Sequence, residues 1–294
     1  MRVAIAGASG LVGTALLHAL ESSEWEVSRM VRGKVGATVS TIPWDPAAGA
    51  LEGVDAVVCL SGASIAGGRW TARRKAKILS SRVDTVSLLC QTMATMESPP
   101  KVFICASAIG YYGANPGDEP CPEDHAPGDD FLSEVCAAWE AAALPAKEKG
   151  IRVVHLRFGV VLSAHGGALG TMLLPFRLGL GGVLGSGGQF MSWIGRDEAV
   201  NLIEYALESE DLAGPVNAVN PSIATNREFT KALGSVLGRP TFLPAPGFMV
   251  RLVLGEMGEA LLLGSTKAVP AVLTERNFPF LYGNVGEALS HFVR

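Results

Sequence analysis

The amino-terminal stretch Met1–Leu20, MRVAIAGASGLVGTALLHAL, decides the fold. Arg2 to Ala6 is a short apolar run with β-branched Val3 and Ile5. Gly7-Ala8-Ser9-Gly10-Leu11-Val12-Gly13 breaks it, and apolar residues resume at helical spacing from Thr14 to Leu20. A strand, a G-x-x-G-x-x-G turn and a helix in that order are how a dinucleotide fold holds a pyrophosphate. Gly7 allows the tight turn, Gly10 lets the backbone approach the phosphates, and Gly13 lets helix and strand pack closely. The helix start adds free N–H groups and a partial positive charge.

Working outward, Glu26 to Val31 reads as a second strand, followed by Arg32-Gly33-Lys34. An Asp or Glu about 20 residues past the glycines would bind the ribose 2′-hydroxyl of NAD. None is present; the charged residues from Ser28 to Lys34 are Arg29, Arg32 and Lys34. A 2′-phosphate with a charge of roughly −1.5 to −2 is welcome there, so the sequence favours NADP, with Arg32 as its reader.

Short strands follow at Ser40 to Trp44, at Ala56 to Leu60, which ends in Ser61-Gly62-Ala63, and at Lys101 to Ala106, which runs into Ser107-Ala108-Ile109-Gly110-Tyr111-Tyr112-Gly113. A long helical stretch covers Thr71 to Met96, and another covers Phe131 to Lys149 apart from Pro145; a sixth strand lies at Val153 to Leu156. Strands alternating with helices predict a doubly wound, parallel α/β sheet of the Rossmann kind. Small residues after Leu60 leave room for a ligand across its carboxyl edge. From Gly159 to Gly195 eleven glycines stand among Leu173, Leu174, Phe176, Phe190 and Trp193, a composition expected of a loop-rich pocket wall or lid. Asp197 to Glu208 is helical and Val216 to Val219 a last strand. Thr225 to Glu228 then offers a cap for a helix over Phe229 to Leu237, and a further helix is expected around Phe248 to Leu263. The division expected is a dinucleotide-binding domain over 1–160 and about 195–220, with a smaller α/β substrate-side domain over 161–194 and 221–294.

The bulk numbers set limits. A chain of 294 residues, 48% hydrophobic and 18% charged, can bury a sizeable core. A net charge of −4 gives no electrostatic case for nucleic acid or an anionic membrane surface. The first strand begins at residue 2, which leaves no room for a leader, and the apolar stretch from Phe248 to Leu263 is interrupted by Arg251, Glu256 and Glu259. Five cysteines without a C-x-x-C pair suit a reducing, cytoplasmic setting, and five histidines without close ligand spacing predict no metal.

The chain resembles the extended short-chain dehydrogenase/reductase superfamily, and closely its atypical branch of epimerase-family proteins, which carry a C-terminal domain of unknown function. The motifs that carry this resemblance include G-A-S-G-L-V-G at 7–13, W-D-P at 44–46, R-W-T-A-R-R-K at 69–75, S-S-R-V at 80–83 and S-A-I-G-Y-Y-G at 107–113. D-F-L-S-E-V-C-A-A-W-E at 130–140, R-F-G-V-V-L at 157–162, L-L-P-F-R-L-G-L-G-G at 173–182, G-P-V-N-A-V-N-P at 214–221 and T-N-R-E-F-T at 225–230 extend it over essentially the whole chain. The resemblance implies NADP contacts at Gly7, Ser9, Gly10, Leu11, Val12, Arg32, Leu60, Ser61, Gly62 and Arg82, with Val160 near the nicotinamide end.

The superfamily's proton chemistry uses a Tyr, a Lys four residues later, and a Ser. No Y-x-x-x-K occurs: the residues four beyond Tyr111, Tyr112, Tyr205 and Tyr282 are Asn115, Pro116, Ser209 and Gly286. The usual Tyr and Lys positions fall on Leu132 and Cys136. A tyrosine without its lysine is ionised only to about a thousandth at pH 7, a deficit near 4 kcal/mol for a base, though it can still serve as an acid. Ser107, with Tyr111 or Tyr112, forms the catalytic candidate set. After Trp193-Ile194 the branch usually has a His, where this chain has Gly195. Two functions remain open: an NADP-dependent oxidoreductase or epimerase acting on a small polar or sugar-like carbonyl compound, and a catalytically silent NADP-binding regulator or scaffold. The substrate, oligomeric state and protein partners are left open by the sequence.

Overall fold

Val3 and Ile5 point to one face of the first strand and Ala4 and Ala6 to the other, and all four are buried. Such a strand must be covered on both sides, the condition met in a parallel sheet flanked by helices. The computed structural model, which describes residues 1–23, 25–31, 41–43, 51–114 and 119–293, has that arrangement. In chain order come β1 (Arg2–Ala6), α1 (Leu11–Glu21), β2 (Glu26–Val31), β3 (Thr41–Pro43), β4 (Ala56–Cys59), α2 (Ala72–Thr95), β5 (Val102–Ala108), α3 (Phe131–Ala141), α4 (Leu144–Glu148) and β6 (Arg152–Phe158). Then follow β7 (Val160–Leu162), α5 (Gly167–Arg177), β8 (Phe190–Met191), β9 (Trp193–Gly195), α6 (Arg196–Glu208), β10 (Gly214–Ala218), β11 (Ala224–Thr225) and α7 (Asn226–Leu237). The tail holds α8 (Gly247–Leu254), the single turn α9 (Glu256–Gly258), α10 (Ala271–Glu275) and α11 (Val285–Val293).

The main sheet has the order β10-β6-β5-β4-β1-β2-β3, with every neighbouring pair parallel. The strand order reverses between β1 and β4, and the crevice beyond the carboxyl ends at such a point is where these sheets bind ligands. On one face Val3, Ile5, Val58 and Ile104 pack with Leu16 and Leu20 of α1 and Leu202 and Ile203 of α6. On the other, Ala4, Val57 and Phe103 pack with Val86 and Leu89 of α2 and Trp139 of α3. A third cluster joins Leu169, Leu173 and Phe176 to Phe229, Leu233 and Leu289 away from the sheet.

Four features differ from the sequence reading. The glycine-rich stretch contains a helix, α5, because Leu169, Leu173 and Phe176 recur at helical spacing and bury one stripe in the third cluster. The helix expected over Phe131 to Lys149 ends at Ala141 and restarts at Leu144, with Pro145 in the first turn of α4, where its missing N–H does no harm. The one expected around Phe248 to Leu263 is interrupted at Gly255, whose φ of +61° suits glycine, and ends in a π-helical turn from Glu259 to Leu263. The tail also returns to the sheet: Leu273 and Phe278 belong to the cluster beneath α1 and α6. The Thr225 cap is present as a capping box, with Thr225 Oγ1 accepting from Glu228 N at 3.2 Å and Glu228 Oε2 accepting from Thr225 N at 2.8 Å. Among the described residues no helix is long and apolar enough to cross a membrane.

Candidate functional site

The turn between β1 and α1 has no space for side chains at its first and last glycines. Gly7 has φ +88°, and a Cβ there would stand 2.8 Å from the Leu60 carbonyl carbon; one at Gly13 would stand 2.2 Å from the Gly7 carbonyl oxygen. Gly10 N donates to Gly7 O at 3.0 Å and closes the loop. Gly10 also caps α1 without any side-chain hydrogen bond to the first turn, so the N–H groups opening the helix point into the crevice for an anion. Ser9 and Gly10 are exposed, while Leu11 and Val12 are half-buried. Leu60 N donates to Ala6 O at 2.8 Å, which brings Leu60, Ser61 and Gly62 alongside this loop.

Arg82, on α2, reaches the same edge. Its Cζ would lie 3.1 Å from a Cβ on Gly62, Nη1 donates to Ala63 O at 3.1 Å and to Ile78 O at 3.0 Å, and the guanidinium stands 5.0 Å from the centre of the Trp139 ring. Burial, with Arg74 adding to it and Cys136 opposing, holds it below the usual arginine value. No carboxylate pairs with it among the described residues, so its charge is available to a ligand phosphate. Arg32, Trp44, Asp45 and Pro46 lie outside the described residues. Val160 sits in β7, where its N donates to Ser192 O at 2.9 Å.

Strand register assembles the reacting end. Ser107 in β5 stands opposite Arg157 in β6, which stands opposite Asn217 in β10, so three neighbouring strands present one polar row. Glu140 of α3 closes it. Arg157 Nε and Nη2 donate to Glu140 Oε1 and Oε2 at 2.8 and 2.9 Å, and Ser107 Oγ donates to Oε1 at 2.7 Å. Arg157 Nη1 donates to the Tyr112 hydroxyl at 2.9 Å and to Glu123 O at 3.0 Å, and Tyr112 donates to Asn217 Oδ1 at 2.6 Å. The Arg157 guanidinium also lies 3.6 Å from the centre of the Tyr111 ring. Ser107, Tyr112 and Arg157 are all nearly inaccessible to solvent, whereas Tyr111 is half-buried and its hydroxyl has no hydrogen bond among the described residues.

This network separates the two tyrosines. Burial pushes the Tyr112 phenol up to about 12, against the hydrogen bond and charge of Arg157. A folded value above the ordinary 10.0 means stability is full below pH 10 and falls as pH rises towards 12. Tyr282, pushed up to about 12 by burial and by Asp197 and Glu198, adds to the same slope. Tyr112→Phe is expected to flatten the slope partly in denaturant unfolding from about pH 9 to about pH 12. A slope equal to that of the unsubstituted chain would mean Tyr112 ionises at its ordinary value.

Leu132, Cys136 and Glu140 lie along one stripe of α3. A Cβ on Gly110 would meet Leu132 Cβ at 3.1 Å and Cys136 Sγ at 3.7 Å, so a leucine and a thiol face the turn after β5. Burial and Glu140 push that thiol up to about 12. At Gly195 the Tyr282 ring fills the space, with Cε2 2.5 Å from where a Cβ would be. The sequence reading did not assign Glu140, Arg157, Asn217 or Glu123. The signal available was an arginine inside the apolar strand V-V-H-L-R-F, since a buried charge demands a partner.

Two openings serve this edge. A groove of about 740 Å³ runs from Ser9, Gly10 and Leu11 between α1 and α6, bordered by His165 and Gly166. A cleft of about 570 Å³ opens at Leu132 and is walled by Trp70, Phe131, Gln189, Phe190 and Leu263. Both are of the size that takes small molecules.

Comparison with known proteins agrees with this geometry. Residues 3–220 match the NAD dependent epimerase/dehydratase family, and residues 245–292 match a domain of unknown function, DUF1731. An epimerase family protein of Mycobacterium tuberculosis is 41% identical, over 98% of this chain and 96% of its own. The human epimerase family protein SDR39U1 is 39% identical over the full length of both chains. A crystal structure of that human protein (isoform 2) with NADPH superposes with a TM-score of 0.93 at 37% identity, covering 99% of each chain. With more than two thirds of its length matched to that family, and relatives of about two-fifths identity along the whole chain, this protein belongs to the NAD dependent epimerase/dehydratase family.

Proposed function

We propose that the chain is an NADP(H)-dependent oxidoreductase or epimerase acting on a small polar or sugar-like carbonyl compound. The observation that carries this reading is the loop at Gly7 and Gly13, where any Cβ would strike backbone, beside an arginine with no carboxylate partner. These are a cradle for a dinucleotide pyrophosphate and a cation for its phosphates. The human relative crystallised with NADPH supports the same choice of cofactor. Bound there, the nicotinamide supplies the hydride.

The chain's own residues then orient the partner molecule and handle its proton. Glu140 is paired with Arg157 through two hydrogen bonds and accepts one from the Ser107 hydroxyl, which leaves Ser107 Oγ with only lone pairs to offer a ligand N–H or O–H group. Tyr111, packed on the Arg157 guanidinium with its hydroxyl unengaged, is the proton donor. Trp70, Phe131 and Leu132 give the cleft an apolar wall. Five buried cysteines with no C-x-x-C pair among them suit a reducing, cytoplasmic setting.

A second reading has its own observation. Leu132 and Cys136 stand where the superfamily has Tyr and Lys, which favours a catalytically silent, NADP(H)-binding regulator. An NADPH-oxidation screen against carbonyl compounds separates the two. Turnover with at least one class, reduced ~10²-fold in Tyr111→Phe, is expected of the enzyme. Tight NADPH binding without turnover on any class gives the protein to the second reading. Arg82→Ala is expected to weaken NADPH at least ~10-fold in the same titrations. Arg32→Ala should narrow the preference for NADPH over NADH.

A further inference from the structure

The third cluster leaves one outer face uncovered. Leu174 of α5 and Leu178 just after it are 66% and 65% exposed, Phe242 is 72% exposed, and Phe248, Leu252 and Val253 of α8 are 67%, 73% and 64% exposed. They belong to one surface. Gly182 bridges to Phe242, Leu184 to Ala245, and Gly247 packs against Gly185, which ties the chain after α5 to the segment leading into α8. Large apolar side chains exposed together on neighbouring segments mark a surface that something covers.

The charges around it are one-sided. Arg177 closes α5, Arg239 precedes Phe242, and Arg69 Nη2 donates to Leu252 O at 2.7 Å. The carboxylates next to α8 are already engaged, Glu256 with Lys75 and Glu259 with Arg251. The net charge of −4 is an average over all faces, and this face departs from it.

We propose that this face docks on an anionic lipid bilayer, with Phe248 and Leu252 entering the headgroup boundary and Arg69, Arg177 and Arg239 meeting lipid phosphates. A second copy of the chain is the poorer occupant, because a twofold contact would bring uncompensated guanidinium groups together. Arg251, Glu259 and Leu263 also line the cleft beside Leu132, so docking sets the cleft mouth at the membrane surface. This inference goes beyond the proposed activity and does not depend on turnover.

The test is flotation of the full chain, loaded with NADPH, on vesicles of phosphatidylcholine alone and of phosphatidylcholine with phosphatidylglycerol. Roughly tenfold more protein is expected with the anionic vesicles, falling as salt is raised. The double variant Phe248→Glu/Leu252→Glu should stay at the bottom of the gradient and Arg177→Glu/Arg239→Glu should lose most of its binding. Both should keep the thermal midpoint and NADPH-induced stabilisation of the unsubstituted chain, since these side chains are exposed. Failure of the unsubstituted chain to float on either vesicle overturns the proposal and leaves the face to a protein partner. A dimer in light scattering that Phe248→Glu/Leu252→Glu dissociates, without flotation, overturns it in favour of a second copy.

Discussion

Gly13→Ala will both destabilise the fold and abolish tight NADPH binding. The added Cβ would lie 2.2 Å from Gly7 O and 2.9 Å from Ala8 Cα, and both obstacles are backbone, so no rotamer change relieves them. The start of α1 must lift from β1. That loosens Leu16, Leu17 and Leu20 against Val3 and Ile5, and overpacking of this kind costs about 1–3 kcal/mol or more. The displaced N–H groups lose charge-assisted bonds to phosphate worth roughly 1.5–3 kcal/mol each, so Kd should rise at least ~10²-fold. Gly10→Ala is the internal comparison: its Cβ would meet only Gly7 O, at 3.3 Å, and a smaller change is expected in both measurements. Denaturant unfolding and NADPH titration check the pair. A Gly13→Ala chain with unaltered midpoint and Kd would mean that the loop is not the cradle described.

The largest loss of stability is expected at Glu140. Its carboxylate and the Arg157 guanidinium are 13% and 3% exposed, so solvent screens the pair little, and breaking such a pair from one side costs about 3–5 kcal/mol. Glu140→Ala leaves Arg157 charged and buried, and takes the acceptor from Ser107. Replacing Arg157 by Met in that background should recover part of the loss, because the uncompensated charge goes with it. The double variant is therefore expected to be more stable than the sum of the single changes predicts. Glu140→Gln keeps an acceptor for Ser107 and should cost less than Glu140→Ala. Additive single and double losses in denaturant unfolding would show that the network is not cooperative.

The parallel sheet, the glycine loop, the long helix α2 and the absence of a Y-x-x-x-K pair were legible because each rests on local pattern, whereas Arg82 came only from the family resemblance. The continuous apolar run from Val3 to Ala6, the fixed spacing of Gly7, Gly10 and Gly13, and the Thr225–Glu228 cap involve residues a few positions apart. The glycine-rich stretch misled for the same reason. Its glycines dominate the composition, while α5 exists because Leu169, Leu173 and Phe176 find a partner surface on α7 and α11, more than 50 residues away. Ser107 and the tyrosines were identifiable as candidates, yet which tyrosine is engaged was not. That depends on Asn217, 105 residues from Tyr112, and on Arg157, 45 residues away.

By itself, then, the sequence determined the alternation of strands and helices in the main sheet and the glycine turn after β1, since steric limits on glycine and the period of apolar residues act within a few residues. Only the tertiary structure decided that Ser107 gives its proton to Glu140, that Tyr282 occupies the space beside Gly195, and that Leu174, Phe242 and Phe248 share one uncovered face. Those outcomes follow from strand register and from which apolar stripe buries against which, and both are set by contacts between residues far apart in the chain.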